Sequence, residues 1–415
     1  MTEDHRLSKV KILIQQKKYA GAEKILSGLL TEDPNNIHFL SLLAEANFQQ
    51  GKFDQANSIL DHTIGLSPDT PQLFYLKSHI ALQQDKLNEA EKHINQAIAL
   101  DPYDADYFAS LANIKLGRKQ FEEALETANR ALEIDAENLL ALNTRGTALN
   151  KLNRSNDFFE TIEYALREDP NNAYTHANYG WGLLEKGDYK KALEHFKEAL
   201  SNNPTFDYAQ SGMLEALKAT NPVYRLFLKY SFWMGKLTAK YQWGVIIGFL
   251  LGFRALRTVA RYNEAFQPYL TPLIVALALI AFSTWIIVPV SNLFLRFNKY
   301  GQLLLRKKEK MSSTFVAASL GVFIIGLLLY VVLSDEKMLT IAVFGFTMML
   351  PLGTMFSPSK NKYGLLVFTI ALATVGLISI GLTFSTGKIF NFMTAIFIFG
   401  FITAANYMLI KENNQ

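Results

Sequence analysis

Apolar and small residues in the first half of the chain repeat at a long period laid over the helical one. A large apolar residue stands at Tyr19, Phe53, Leu87, Phe121 and Tyr189, and Ser155 takes the remaining position of this 34-residue register. Three residues later comes a small one, Ala22, Ala56, Ala90, Ala124 and Ala192, with Phe158 as the exception. Four further on stand Leu26, Leu60, Ile94, Ala128, Ile162 and Phe196. Offsets of three and four put these side chains on one helix face, and the small residue lets a second helix cross closely. Prolines at 34, 68, 102, 170 and 204 fall where each unit must stop being helical, and Ala136 occupies the one missing position. The pattern predicts six units of two short antiparallel helices over residues 1–204, then a capping helix over 205–222.

The second half has a different pattern. Residues 223–240 read as an amphipathic helix in which Arg225, Lys229, Lys236 and Lys240 share one narrow arc beside Leu226, Tyr230, Met234 and Leu237. Such a helix suits a membrane surface, with the basic residues at lipid headgroups; an ordinary soluble connector is the alternative. Long apolar runs follow at about 270–290, 314–333, 338–356, 363–383 and 389–410, each near the length that spans a bilayer and without an interior charge. Residues 241–262 are a shorter sixth run. There Gly244, Gly248 and Gly252 are spaced for close helix packing, either within the same bundle or between two copies. Arg254 and Arg257 project from roughly the opposite face toward headgroups.

A 34-residue helix-turn-helix period is that of the tetratricopeptide repeat, and residues 1–204 resemble that family. The sixth unit carries it best, through Gly180, Gly187, Tyr189, Ala192, Phe196, Ala199 and Pro204. Val10 departs from the pattern in the first unit, while Ser155 and Phe158 make the fifth degenerate and are expected to bend or loosen the array there. The resemblance implies a superhelical solenoid whose first helices line a concave, protein-binding surface. Carried over by position, that surface holds Glu45, His79, Asn113, Thr147 and Trp181, with Ser41, Tyr75, Ala109, Asn143 and Ala177 one turn earlier. The candidate partner-binding residues are Ser41, Glu45, Tyr75, His79, Asn113, Asn143, Thr147 and Trp181, with Tyr75 and Trp181 as exposed anchors. The face is poor in Lys and Arg, so it lacks a basic clamp for a C-terminal carboxylate. An extended or helical protein segment is the expected occupant, and a solvated face with nothing bound is the alternative.

Charge divides the chain at the same place as hydropathy. Residues 1–222 carry 23 Lys+Arg against 32 Asp+Glu, a net of −9, and residues 223–415 carry 18 against 5, a net of +13. The basic residues lie between apolar runs, which points to anionic lipid and not to nucleic acid. Residues 291–313 hold Arg296, Lys299, Arg306, Lys307, Lys308 and Lys310 against Glu309 alone, so this loop is expected on the cytoplasmic side. The polar start, Met1 to Arg6, has no signal-peptide pattern, which puts the repeats on that side too. An even number of crossings must then separate them, giving six transmembrane helices: 241–262, 270–290, 314–333, 338–356, 363–383 and 389–410. Asp335 and Glu336 would face outward, and Lys360, Lys362 and Lys411 inward.

Chemistry narrows the reading further. With no cysteine there is no disulfide or thiolate site. The seven histidines lie in the repeats without ligand spacing, so no metal and no cofactor is expected. The apolar half has no histidine, and its acids, Glu264, Glu309, Asp335, Glu336 and Glu412, stand at loops or ends, which disfavours catalysis and ion coupling. Asn391 and Asn406 read as helix–helix glue. The expected protein is all-α: a solenoid plus a C-terminal α-helical transmembrane bundle. It would not be an enzyme. It would be an adaptor in the bacterial cytoplasmic membrane, with solenoid and C-terminus in the cytoplasm, able to form homo-oligomers. The alternative is a component of a transport or export assembly in which the bundle takes part.

Overall fold

The computed structural model describes residues 3–356 and 363–412 of the chain, and among them every regular element is helical. Six helix–turn–helix units come first: α1 (Glu3–Gln15) and α2 (Tyr19–Glu32), α3 (Ile37–Gln49) and α4 (Phe53–Leu66), α5 (Pro71–Gln83) and α6 (Leu87–Leu100), α7 (Ala105–Gly117) and α8 (Phe121–Ile134), α9 (Leu139–Lys151) and α10 (Ser155–Glu168), α11 (Ala173–Lys186) and α12 (Tyr189–Asn202). Then come α13 (Asp207–Lys218), α14 (Pro222–Lys236), α15 (Ala239–Tyr262), α16 (Gln267–Leu295), α17 (Lys299–Leu304), α18 (Lys307–Leu333), α19 (Met338–Thr354), α20 (Gly364–Thr386) and α21 (Phe392–Glu412). The chain divides into two compact units, Met1–Gly182 with Ser201–Asn203, and Leu183–Leu200 with Pro204–Gln415. The last repeat helix and the cap therefore group with the apolar helices.

Each repeat closes on its small column. Ala22, Ala56, Ala90, Ala124 and Ala192 are fully buried, as are Leu26, Leu60, Ile94, Ala128, Ile162 and Phe196 one turn on. The turn inside each unit has a second 34-residue signature. Lys17, Gly51, Asp85, Lys119, Asn153 and Gly187 all have positive φ. The next residue's N–H reaches back five residues, as from Lys52 to the Asn47 carbonyl at 2.9 Å and from Arg154 to the Leu149 carbonyl at 2.8 Å. A left-handed residue closes a helix this way, and glycine adopts it without strain. Only two of the six positions are glycine. Second helices end on Asp101, Asp135 and Asp169, whose carboxylates accept from the N–H two residues on. That Asx turn supports the connection after Asp135 even though Ala136 stands in place of proline.

The fifth unit is not loosened. Phe158 is buried where the other units have alanine, and its partners have shrunk to match. A Cβ on Gly182 would overlap the Phe158 ring, and one on Gly146 would come within 2.6 Å of Ile162 Cδ1. Large-for-small on α10 is balanced by glycine on the helices to either side, Gly146 on α9 and Gly182 on α11, which keeps the packing full.

In the apolar half, segments 240–262, 264–284, 307–333 and 364–386 have the length and apolarity to cross a membrane. The expected span at 338–356 is helical but short, since α19 has 17 residues, and that at 389–410 becomes helical only from Phe392, where α21 starts. α18 and α19 form a tight hairpin. A Cβ on Gly326 would overlap the Ala342 backbone and one on Gly345 the Phe323 backbone. Ser319 Oγ donates to the Gly345 carbonyl at 2.7 Å and Ser312 Oγ to the Gly353 carbonyl at 2.5 Å. Asn391 Nδ2 donates to the Ser379 carbonyl at 3.1 Å, joining α20 to the start of α21. Lys360 and Lys362 lie outside the described residues, as do the side chains of Asn406 and Lys411.

Two expectations for this half need correction. The glycines of α15 do not pack within the bundle: nothing lies within 4 Å of a Cβ built on Gly244, Gly248 or Gly252. The helix expected over 223–240 ends at Lys236, where Leu237 turns extended and α15 starts afresh at Ala239. Its basic residues also face elsewhere. The Arg225 guanidinium lies 4.8 Å from the centre of the Tyr189 ring, and its Nε donates to the Ala219 carbonyl at 3.1 Å. Lys236 Nζ pairs with Glu185 Oε1 at 2.6 Å. Arg225 and Lys236 thus hold α14 to the sixth repeat and are not turned to lipid headgroups. Lys229, Lys240, Arg254 and Arg257 are exposed.

Candidate partner-binding face

The first helices α3, α7 and α9 begin at side-chain caps where the chain enters from a turn, while α5 begins at Pro71 without one. Asn36 and Asn138 accept from N–H groups three residues on, and Asp104 from one two residues on. This fixes the rotation of each helix and so the face its polar residues share. On that face the predicted residues separate into three kinds. Ser41 and Thr147 turn their hydroxyls onto their own helix, at the Ile37 and Asn143 carbonyls. Glu45 accepts from Gln49 Nε2 at 2.8 Å, and Asn113 is half-buried.

Tyr75 and His79 form a cluster. Their rings lie 4.4 Å apart, and Tyr75 sits 5.1 Å from the buried ring of Tyr107 on the next repeat. His79 Nε2 is 3.2 Å from Ser110 Oγ. Burial lowers the His79 pKa, partly opposed by Asp106. Burial raises that of Tyr75, helped by the negative charges of Asp106, Asp104 and Glu45 and opposed by the hydrogen bond to Ser110. The cluster is aromatic, half-buried and set among carboxylates, so it favours the approach of a cation.

Asn143 is the third kind, and there the expectation fails. It is 1% exposed. Its Nδ2 donates to the Leu139 carbonyl at 2.8 Å and to Thr175 Oγ1 at 2.9 Å, and its Oδ1 accepts from Asn178 Nδ2 at 2.9 Å. A side chain so committed joins repeats and has little left for a partner. Tyr75 and Trp181 are half-buried, not exposed anchors. Several residues on this face escaped the sequence reading: Tyr107, Ser110, Asp106, Asn138, Thr175 and Asn178. One signal was available. Ser110, Thr144 and Asn178 stand 34 apart, and all three are buried in a column that holds Leu42 and Leu76 in earlier repeats. In this column Ser110 and Asn178 hydrogen-bond to neighbouring helices, at His79 and Asn143, while the Thr144 hydroxyl is buried without a partner.

No group of three or more His, Cys, Asp or Glu residues suited to a metal occurs among the described residues.

Sequence comparison matches this chain to the tetratricopeptide repeat at residues 13–80, 75–139 and 173–206. The fifth unit falls between the matched stretches, in keeping with its Phe158 variation. No curated protein matches the chain. Among solved structures, it is similar to YrrB, a tetratricopeptide repeat protein with an unusual peptide-binding site, at 18% identity over 44% of this chain and 95% of that one, TM-score 0.33. A tetratricopeptide repeat protein from Parabacteroides merdae aligns at 15% identity over 50% and 81%, TM-score 0.45. TTC0263, a thermophilic protein of the same kind in Thermus thermophilus, aligns at 16% identity over 44% and 99%, TM-score 0.41.

Proposed function

Since the N-terminal half of this chain belongs to the tetratricopeptide repeat family, which makes it a protein-binding scaffold in kind, we propose that it is a membrane-anchored adaptor. Its repeats hold a protein segment on the first-helix face, and its apolar helices fix them to a bilayer. The acidic surroundings of Tyr75 and His79 favour a segment carrying Lys or Arg at that point. Arg254 and Arg257 lie at headgroups.

The observation that carries the anchored reading is the seat of the cap helix. Leu214 and Leu217 of α13 form one buried cluster with Leu295 at the end of α16 and Leu305 beyond α17. Arg306 pairs with Asp207 at 3.0 Å. These contacts support a topology in which the cap and the basic loop after α16 share one side of the membrane. Two long apolar helices, α15 and α16, lie between them in sequence, which supports a there-and-back pair of crossings. With the cap on the side of the basic loop, positive-inside logic favours a cytoplasmic location for both.

The chain has no cysteine, so single cysteines report topology in the intact protein. Lys299→Cys and Glu122→Cys should both react with an impermeant thiol reagent only after the inner face is opened, and Asp335→Cys before. Opposite behaviour of the first two would remove the proposed topology. For binding, a photo-crosslinker at Glu45 or Asn113 in cells should capture the same protein, absent from a second-helix position such as Glu122. Identical capture from both faces would count against the first-helix face.

A further inference from the structure

The helix α14 is built inside out for a soluble helix, and this follows from where its charges go. Arg225 and Lys236 point at the sixth repeat, onto Tyr189 and Glu185, and Tyr224 and Leu228 are buried beside them. Tyr224 also donates to Glu215 Oε2 at 2.5 Å, fixing the helix against the cap. The opposite side holds Val223, Leu226, Tyr230 and Trp233, which are 67%, 71%, 44% and 49% exposed. At about 100° per residue these four fall within an arc about 80° wide. A water-facing stripe of this composition over nearly the whole helix is unfavourable unless something apolar covers it.

We propose that this stripe lies in the lipid interface, with the apolar side chains immersed and the charges facing the protein. The inference rests on the anchored reading above and adds the surface that meets the lipid. Three observations select lipid as the occupant. First, α14 is tied to the start of an apolar span. Lys236 and Ala239 are three residue steps apart, at most about 11 Å, and Gln242 Nε2 braces the corner by donating to the Met234 carbonyl at 2.9 Å. If α15 enters the membrane, α14 cannot stand far from its surface. Second, Tyr241, Trp243 and Ile247 at the start of α15 are exposed as well, so large apolar side chains are uncovered on both sides of the corner. Third, the stripe is rich in Tyr and Trp and flanked by exposed Lys229 and Lys240, the residue types that settle at the boundary of headgroups and acyl chains. The consequence is mechanical: Arg225 and Lys236 hold Tyr189 and Glu185, at the turn of the sixth repeat, against a helix that is itself embedded.

The test uses the full chain in vesicles of phosphatidylcholine and phosphatidylglycerol, with spin labels at single cysteines. Val223→Cys and Leu226→Cys sample the stripe, Glu122→Cys samples water, and Ile325→Cys samples the middle of α18. Collision rates with oxygen and with a water-soluble nickel chelate give depth. The labels at 223 and 226 should show an oxygen-to-nickel ratio several-fold above that at 122 and below that at 325. Ratios at both stripe positions equal to that at 122, with 325 still deep, would overturn the interfacial helix and leave the anchor standing. A ratio at 325 no higher than at 122 would overturn the anchor and this inference together. A protein covering the stripe instead would shield it from both reagents, and that too overturns the proposal.

Discussion

The fifth repeat closes around a phenylalanine and two glycines, and the α18–α19 hairpin closes around two glycines and two serines. In the repeat, water supplies the drive. Burying Phe158 removes its ring from solvent, and Gly146 and Gly182 make the room. Between α18 and α19, helices read as lying in lipid, apolar surface gains little by leaving its surroundings. Close backbone approach at Gly326 and Gly345 and the hydroxyl bonds of Ser312 and Ser319 do the holding instead. α15 has three glycines at the spacing that suits such contact, yet no atom approaches them. A glycine thus permits close approach, and only a partner that needs the space turns permission into structure.

The largest effect should come from breaking the repeat's exchange. Phe158→Ala should destabilise the solenoid by about 3–5 kcal/mol, since a large buried ring is removed. Gly182→Ala alone should cost about 1–3 kcal/mol by pressing its Cβ into that ring. In the Phe158→Ala background it should cost far less. Denaturant midpoints of the four proteins form the cycle, and additive losses would mean that ring and glycine are not exchanging volume.

Gly345→Val tests the other side. Its side chain has only backbone to displace, so a loss of about 1–3 kcal/mol or more is expected in the thermal midpoint of detergent-solubilised protein. Gly248→Val should leave that midpoint unchanged. If both lower it equally, the α15 glycines are covered in the assembled protein, and a second copy of the chain is the simplest cover.

The two regions also differ in how far they could be read from residues. Six repeats were legible because a packing requirement recurs at a fixed interval, so Ala22 or Leu60 is one of several witnesses. The left-handed turn recurs as faithfully in space, but Lys17, Asp85, Lys119 and Asn153 hide it, because five-residue-back hydrogen bonding tolerates strain that glycine would avoid. Asn143 was misread because its column was assigned by family position, while its environment depends on Thr175 and Asn178 arriving from the next unit. The face of α14 was beyond reach for a similar reason. A helical wheel groups Arg225 with Lys236, but only the sixth repeat decides which way that group turns. In the apolar half nothing repeats, so each contact has a single witness.

Three substitutions in the repeats refine the picture at smaller scale. Asn143→Ala should cost about 1–3 kcal/mol, because the bond that Asn178 Nδ2 donates to Asn143 and the one that Thr175 accepts from it are both lost in a buried place. A change confined to partner capture, with stability intact, would restore Asn143 to the binding face. Lys17→Gly should stabilise by about 1 kcal/mol, since it relieves a left-handed backbone conformation that glycine adopts without strain. Gly51→Ala should do the reverse, and equal midpoints for both would show that this turn carries no strain.

The smallest expected effect is a pH dependence that belongs to the repeats alone. Burial lowers the His79 pKa in the folded chain, while in the unfolded chain it stays near about 6.5. As pH falls through that value the unfolded state takes up a proton that the folded state resists, so stability declines until the folded pKa is passed and then levels off. His93 is shifted the same way by burial, so the two add. His79→Gln should remove part of the loss between neutral pH and about 5.5, before carboxylates begin to titrate. The apolar helices have no histidine, so the α18–α19 hairpin probed through Gly345→Val should show no slope in this window. A slope unchanged by His79→Gln would mean that Asp106 compensates for burial fully, leaving the ring free to accept a proton when a carboxylate-bearing partner arrives.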